Sequence, residues 1–429
     1  MKTNIYMIFC LIATAILVYC FDLDLVDFTF LINSIFSFLV LIFLMKKKFS
    51  VMAFVFIFNL LFLSLVPWLQ YKNSVYIWSR EAFYFDDYLW TNLVIFISFL
   101  CMIFGRIIIS NKITMDFNTY NISKVNLYGV IFVFLLCVLS FLIVFYSRGN
   151  SLLALFFRSG VPDDIENNFL LNIISTIVRF IPLFLLLSFS SNNNKLIVVI
   201  LFIFVLLCAF PTGIPRYYVS YIYMPILFVY IKWIRKNIIV IPMLLLSVFF
   251  VFPFLNQFRY YSQDLSISIF SGFEFIYSGH FDVYQNLMSV IKFSYVTYGY
   301  QLLGVLLFFV PRSLWENKPF GSGYTIAEEY NFIFNNISMP YIGEGYINFG
   351  FLGVIIFSIF LGMIMKKIDY YLIHSEKNNL QYGYGVFLCA AIFFVQRGDL
   401  LSSFSVIIAV SIAYLIVCKV VRFINIKGK

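Results

Sequence analysis

Long apolar runs alternate with short polar connections along nearly the whole chain. Helices of roughly 20 residues are needed to cross about 30 Å of hydrocarbon, and twelve runs approach or reach that length. They lie near residues 4–20, 28–45, 49–69, 88–109, 126–146, 169–189, 196–211, 217–234, 237–255, 346–365, 382–396 and 400–418. The pattern predicts an all-α, polytopic integral membrane protein with about 12 transmembrane helices.

One connection, residues 256–345, is far longer than the others. Connections of this length usually carry structure of their own. Its apolar stretch Gln301–Val310 ends at a proline and, at about 1.5 Å per residue, reaches only half a bilayer. We therefore predict a loop with re-entrant or interfacial helices, within a single membrane domain over 1–429 that has nine spans in 1–255 and three in 346–429.

The composition supports a membrane protein and disfavours other classes. Residues are 62% hydrophobic, whereas soluble domains are about 45–50% apolar. The net charge of +9 comes from small basic clusters between spans, such as Lys46–Lys48, so we expect no nucleic-acid partner. The seven cysteines lie in or beside apolar runs without paired spacing, so we expect neither a disulfide framework nor a metal site.

Charge predicts the orientation of the spans. With a cytoplasmic N-terminus, inner connections carry 18 basic residues and three acids, and outer connections carry 10 basic residues and 17 acids. The positive-inside rule therefore places both termini in the cytoplasm and the long loop outside.

Arginine is divided unevenly between the two sides. It supplies 3 of the 18 inner basic residues and 7 of the 10 outer ones. A guanidinium can bind phosphate oxygens two at a time, so the outer set suggests an anion-binding site; paired surface charge is the alternative. The outer arginines are Arg80, Arg148, Arg158, Arg216, Arg259, Arg312 and Arg397.

Two candidate clusters lie early in the long loop. Arg259 follows the end of a predicted span and is either a headgroup-level phosphate ligand or an interfacial arginine. His280 and Asp282 are two residues apart in SGHFDVY. Either side chain could take a proton from an attacking hydroxyl, although a structural hydrogen bond is the alternative.

A third cluster closes the loop. Arg312 lies at the end of the predicted half-helix, Lys318 opens a turn that could approach a ligand, and Glu344 lies at the start of the next span. A favourable interaction with the helix dipole is the alternative for Glu344. Gly350 and Gly353 are expected to serve helix packing.

Two further arginines stand apart from these clusters. Arg397 precedes Asp399 in a short turn, where a mutual salt bridge is the alternative to substrate binding. Arg179 lies within a predicted span beside Pro182, and a charge there is expected to face a polar interior or a partner.

Several of these motifs together resemble the O-antigen polymerases, the Wzy family. The segments are FPFLNQFR, GHFDVY, LLGVLLFFVPRSLWENKP, NISMP and GEGYINFGFLG, within residues 252–353. The amino-terminal half is similar only as a polytopic profile. PRSLWENKP with the later Gly-Glu is the most specific part of the resemblance.

The resemblance implies a bacterial inner-membrane glycosyltransferase that acts at the periplasmic face and needs no cofactor. It would transfer the growing glycan from undecaprenyl diphosphate onto the next lipid-linked repeat unit, with membrane lipid and a chain-length regulator as partners. External arginines engage substrate in relatives, which implies such a role for Arg259, Arg312 and, more loosely, Arg397. The resulting hypothesis adds Lys318 to the diphosphate ligands.

The same hypothesis assigns the acceptor hydroxyl to His280, Asp282 or Glu344, which would orient or deprotonate it. Two alternatives stay open at this point. An O-antigen ligase is the nearest enzymatic one, and a lipid-linked oligosaccharide flippase with about twelve spans is the transport one.

Overall fold

The computed structural model describes residues 23–78, 81–110, 122, 125–157, 168–257 and 274–427. The first predicted span, 4–20, and the candidate ligand Arg259 lie outside these described residues. Within them the chain forms helices and turns and no β-strand.

The helices are numbered here in chain order. The first nine are α1 Leu25–Met45, α2 Val51–Lys72, α3 Phe85–Ile108, α4 Leu127–Tyr146, α5 Leu152–Phe156, α6 Phe169–Ser188, α7 Lys195–Cys208, α8 Arg216–Tyr230 and α9 Asn237–Leu255. The remaining six are α10 Val283–Lys292, α11 Tyr300–Leu306, α12 Ser322–Glu329, α13 Tyr341–Ser375, α14 Asn379–Arg397 and α15 Leu400–Lys427.

Eight of the described helices are long and apolar enough to cross a membrane: α1, α2, α3, α4, α6, α9, α13 and α15. This confirms an all-helical, polytopic membrane architecture. Three other predicted spans coincide with α7, α8 and α14, which are shorter or less apolar than those eight. The first predicted span lies outside the described residues, so the total of twelve spans stays a prediction.

Helix α14 lies at the centre of the bundle and packs against α2, α6, α8, α13 and α15. Most of its side chains are buried, including the polar Gln381 and Gln396. A helix enclosed by other helices does not need an apolar surface facing lipid, which explains why α14 is less apolar than its neighbours. Its last residue, Arg397, is thereby fixed at one end of the bundle.

Helix α13 begins five residues before the predicted span and is kinked at Phe349 and Gly350. Gly350 adopts φ +61°, a left-handed conformation that glycine tolerates best. A Cβ atom at Gly353 would lie 1.9 Å from the Gly345 carbonyl oxygen. The backbone segments before and after the kink are therefore in contact at these two glycines. The predicted packing role is confirmed for Gly353, whereas Gly350 permits the kink itself.

Polar contacts gather at two opposite ends of the bundle. At one end Asp369 pairs with Arg106 at 2.6 Å and accepts a hydrogen bond from Ser50 at 2.8 Å. At the other, Gln70 donates to the Ile276 carbonyl at 3.0 Å. Ser50 precedes α2 and Gln70 lies near its other end, so these ends match the predicted inner and outer connections. Which end faces the periplasm stays a prediction.

The described part of the long loop is folded against the bundle. Helix α10 packs on α3 and α13, and α11 contacts α13 and α15. The predicted half-helix over Gln301–Val310 forms only as Tyr300–Leu306 and then continues as turns. Lys318 donates to the carbonyls of Phe308 and Val310 in these turns, at 2.6 and 2.8 Å.

We predict that Gly353→Ala destabilises the protein, because the added methyl group must displace the Gly345 backbone. Overpacking of this kind costs about 1–3 kcal/mol, which lowers the thermal unfolding midpoint in detergent. Leu352→Ala is the control, since Leu352 is 68% exposed and should leave the midpoint nearly unchanged. Equal midpoints for both variants would show that the backbones do not touch.

Candidate active site

A cavity of about 570 Å³ opens at the end of the bundle that holds the predicted outer connections. Four parts of the chain bring most of the polar groups together: the start of α8, the short 3₁₀ turn Gly279–Phe281, the segment 336–338 and the α14–α15 junction. The polar lining residues are Trp78, Arg216, Tyr217, Ser220, His280, Asp282, Asn336, Ser338, Arg397, Asp399 and Ser402. Phenylalanines form much of the remaining wall.

Arg216 is the first residue of α8, directly after Pro215, whose fixed φ suits the start of a helix. Its guanidinium donates to the Phe252 carbonyl at 3.4 Å and reaches Nδ1 of His280, also at 3.4 Å. Sequence reasoning counted Arg216 among the outer arginines but did not select it as a site residue. The sequence signal that could have identified Arg216 is its place on an outer connection, directly before an apolar run.

His280 lines the cavity between two arginines. An arginine can only donate hydrogen bonds, so Nδ1 of His280 accepts from Arg216 and the neutral ring carries its proton on Nε2. In this tautomer the imidazole offers a donor at Nε2. The geometry therefore suits hydrogen bonding to an anion better than removal of a proton.

Arg397 ends α14 and binds the turn that carries His280. Its Nε donates to the His280 carbonyl and one terminal nitrogen donates to the Gly279 carbonyl, both at 3.3 Å. The same terminal nitrogen lies 4.0 Å from Asp282 Oδ1. The ion pair of Arg397 is thus with Asp282 rather than with Asp399, the partner considered from the sequence.

The carboxylate of Asp282 is 1% exposed and well supplied with donors. Trp78 Nε1 and the Ser338 N–H donate to Oδ2 at 2.8 and 3.2 Å, and the Ser338 hydroxyl donates to Oδ1 at 2.6 Å. These bonds join three separate parts of the chain around the cavity. Asp282 acts as an organising residue that also holds Arg397.

Comparison with known families decides what kind of protein carries this cavity. The family described as O-antigen polysaccharide polymerase Wzy matches residues 3–427. The chain belongs to the Wzy family. No curated protein and no solved structure matched the chain. The match extends the resemblance from the late motifs to nearly the whole chain and indicates a multi-pass membrane protein that polymerises O-antigen repeat units.

Two cations that the hypothesis named as diphosphate ligands lie elsewhere. Arg312 donates to the carbonyls of Lys318 and Pro319, at 2.5 and 3.2 Å, and its guanidinium lies 3.7 Å from the Phe320 ring centroid. Lys318 is buried, and burial together with neighbouring Arg312 lowers the pKa of its ammonium group. Neither residue lines the 570 Å³ cavity. The hydrogen bonds of both residues to backbone carbonyls stabilise the fold of the long loop in this Wzy protein.

Glu344 is fully buried and does not line the cavity. It accepts a hydrogen bond from the Ser322 hydroxyl at 2.7 Å and from the Leu400 N–H at 2.8 Å. These contacts join the first turns of α12, α13 and α15. Glu344 therefore fixes the start of α15, directly beside the cavity residue Asp399.

Arg179 is also buried, at 6% exposure, within α6. Its guanidinium carbon lies 5.8 Å from the ring centroid of Tyr218, and its Nε has no hydrogen-bond partner among the described residues. The neighbour of the Arg179 guanidinium is thus the aromatic ring of Tyr218. Arg179 does not line the cavity.

We predict that Asp282→Ala destabilises the Wzy protein by on the order of 3 kcal/mol, because buried donors lose their acceptor. Asp282→Asn retains one acceptor oxygen and should lose clearly less. Thermal unfolding in detergent measures both variants. If alanine and asparagine leave the midpoint at the wild-type value, Asp282 does not organise the cavity.

Proposed function

We propose that this Wzy protein joins O-antigen repeat units at the periplasmic face of the inner membrane. The growing glycan is transferred from undecaprenyl diphosphate onto the next lipid-linked unit. The observation that carries the proposal is the convergence of Arg216, Arg397 and His280 on one cavity. In this proposal, they bind the diphosphate of the donor.

The chemistry favours cations at this position. When the bond between the sugar and the diphosphate breaks, negative charge develops on the leaving group. Preorganised donors that face this charge stabilise the transition state. Arg216 and Arg397 offer planar forks that match phosphate oxygens, and the Nε2 proton of His280 adds a third donor.

The size and lining of the cavity agree with a sugar diphosphate. Ligand pockets usually measure about 300–1,000 Å³, and 570 Å³ lies within that range. Asn336 and Ser338 offer amide and hydroxyl groups to a sugar. The phenylalanine wall offers an apolar surface to the first isoprene units of the lipid.

Family membership favours a polymerase over a ligase or a flippase, the two alternatives open from the sequence. A polymerase that releases chains of controlled length would also work with a chain-length regulator protein. We include that partner in the proposal on the basis of the reaction alone.

We predict that Arg216→Ala and Arg397→Ala each abolish or strongly shorten the chain-length ladder in a polymerase-null strain. Each change removes one bidentate ligand of the diphosphate, and a lysine replacement should restore only part of the activity. Lipopolysaccharide gels at matched expression measure the ladder. Lys48→Ala is the control, because Lys48 is exposed at the opposite end and pairs with Glu376.

The residual product separates the three candidate functions. Core capped with a single repeat unit indicates a lost polymerase. Uncapped core indicates a ligase, or a flippase if repeat units also accumulate on the cytoplasmic leaflet. Wild-type ladders from both arginine variants would contradict the proposed site.

A further inference from the structure

Glycosyl transfer needs a group that accepts the proton of the attacking hydroxyl, and the cations of the cavity cannot do this. Arg216 and Arg397 only donate hydrogen bonds. His280 already accepts from Arg216 at Nδ1 and carries its proton on Nε2. The proton acceptor must therefore be sought among the carboxylates.

Among the residues that the structure describes, two carboxylates line the cavity, those of Asp282 and Asp399. Asp282 is 1% exposed, and both of its oxygens accept hydrogen bonds from Trp78 or Ser338. A proton on either oxygen would compete with these donors, and a buried donor that loses its acceptor costs free energy. Asp282 is thus suited to holding the site together and poorly suited to proton transfer.

Asp399 has different surroundings. It is partly exposed, lines the cavity two residues after Arg397 and directly precedes α15. The N–H and the hydroxyl of Ser402 donate to its Oδ1, at 2.8 and 3.0 Å. Its Oδ2 accepts no side-chain hydrogen bond from the part of the chain that the structure describes.

Burial raises the pKa of Asp399, and the bonds from Ser402 and the Leu401 N–H oppose that rise. Glu344 on α13 interacts electrostatically with Asp399. The other charged or titratable groups of the same cavity are Arg397 on α14, Arg216 on α8, and His280 and Asp282. An ionised carboxylate with a raised pKa is a stronger base than an ordinary aspartate.

We propose that Asp399 is the general base of the polymerase and that Glu344 positions it through the Leu400 N–H. This proposal rests on the proposed function. The acceptor hydroxyl oxygen forms a bond to the anomeric carbon, and the bond from that carbon to the diphosphate oxygen breaks. The electron pair leaves with the diphosphate, and the hydroxyl proton moves to the carboxylate of Asp399, which then releases it to water.

The competing explanation is that Asp399 only caps α15. Its carbonyl accepts from the Ser403 N–H at 3.2 Å, and its side chain accepts from the Ser402 N–H, as an N-cap residue does. Asparagine caps helices about as well as aspartate but cannot accept the proton. Asp399→Asn therefore separates the two roles.

The experiment uses purified full-length protein in lipid nanodiscs with synthetic undecaprenyl-diphosphate-linked repeat units. We expect Asp399→Asn to lower kcat by about 100-fold or more, since general bases contribute about 10²–10⁴. We expect an unchanged unfolding midpoint and unchanged KM for the donor. Asp24→Asn, at the N-cap of α1 and outside the cavity, is the matched control and should keep wild-type kcat.

Ser402→Ala supplies a second variant, because it removes the hydroxyl bond to Oδ1 and leaves the carboxylate in place. It should keep kcat within a few-fold of wild type per folded molecule, even if it is less stable. Wild-type kcat in Asp399→Asn, or equal losses in Asp399→Asn and Ser402→Ala per folded molecule, would overturn the proposal for Asp399. A wild-type protein that forms no polymer would instead overturn the proposed function.

Discussion

The buried carboxylate of Asp282 is the constraint on which the rest of the site depends. A carboxylate at 1% exposure needs donors, and Trp78 and Ser338 supply them from distant parts of the chain. Its pairing with Arg397 joins the 3₁₀ turn to the end of α14. The same turn then presents His280 to Arg216. One buried charge thus holds four segments around a single cavity.

The position of α14 explains why this arrangement is rigid. The helix is enclosed by five others, so Arg397 at its end has little freedom to move. Glu344 fixes the next helix through the Leu400 N–H, which confines Asp399 beside the cavity. Fixed donors need no reorganisation as charge develops on a leaving group, and this is the physical advantage of building the site on helix ends.

The membrane class and most spans followed from apolar periodicity and charge. The family resemblance, together with the predicted outer side, placed His280, Asp282 and Arg397 in one candidate site. The sequence did not reveal that Arg312 and Lys318 bind backbone carbonyls, because turn hydrogen bonds depend on where the loop folds. It also did not select Arg216 over the other outer arginines, since that choice requires α8 to begin beside His280. Glu344 was a candidate partner of the acceptor hydroxyl and is fully buried, because α12 and α15 pack against it.

The account centres on Arg216 and Arg397 as the ligands of the lipid diphosphate. An experimental structure of the protein with undecaprenyl diphosphate bound tests this most directly. We predict phosphate density within hydrogen-bonding distance of both guanidinium groups and of His280 Nε2. Density bound at Arg312 and Lys318, with the 570 Å³ cavity free of phosphate, would contradict the account.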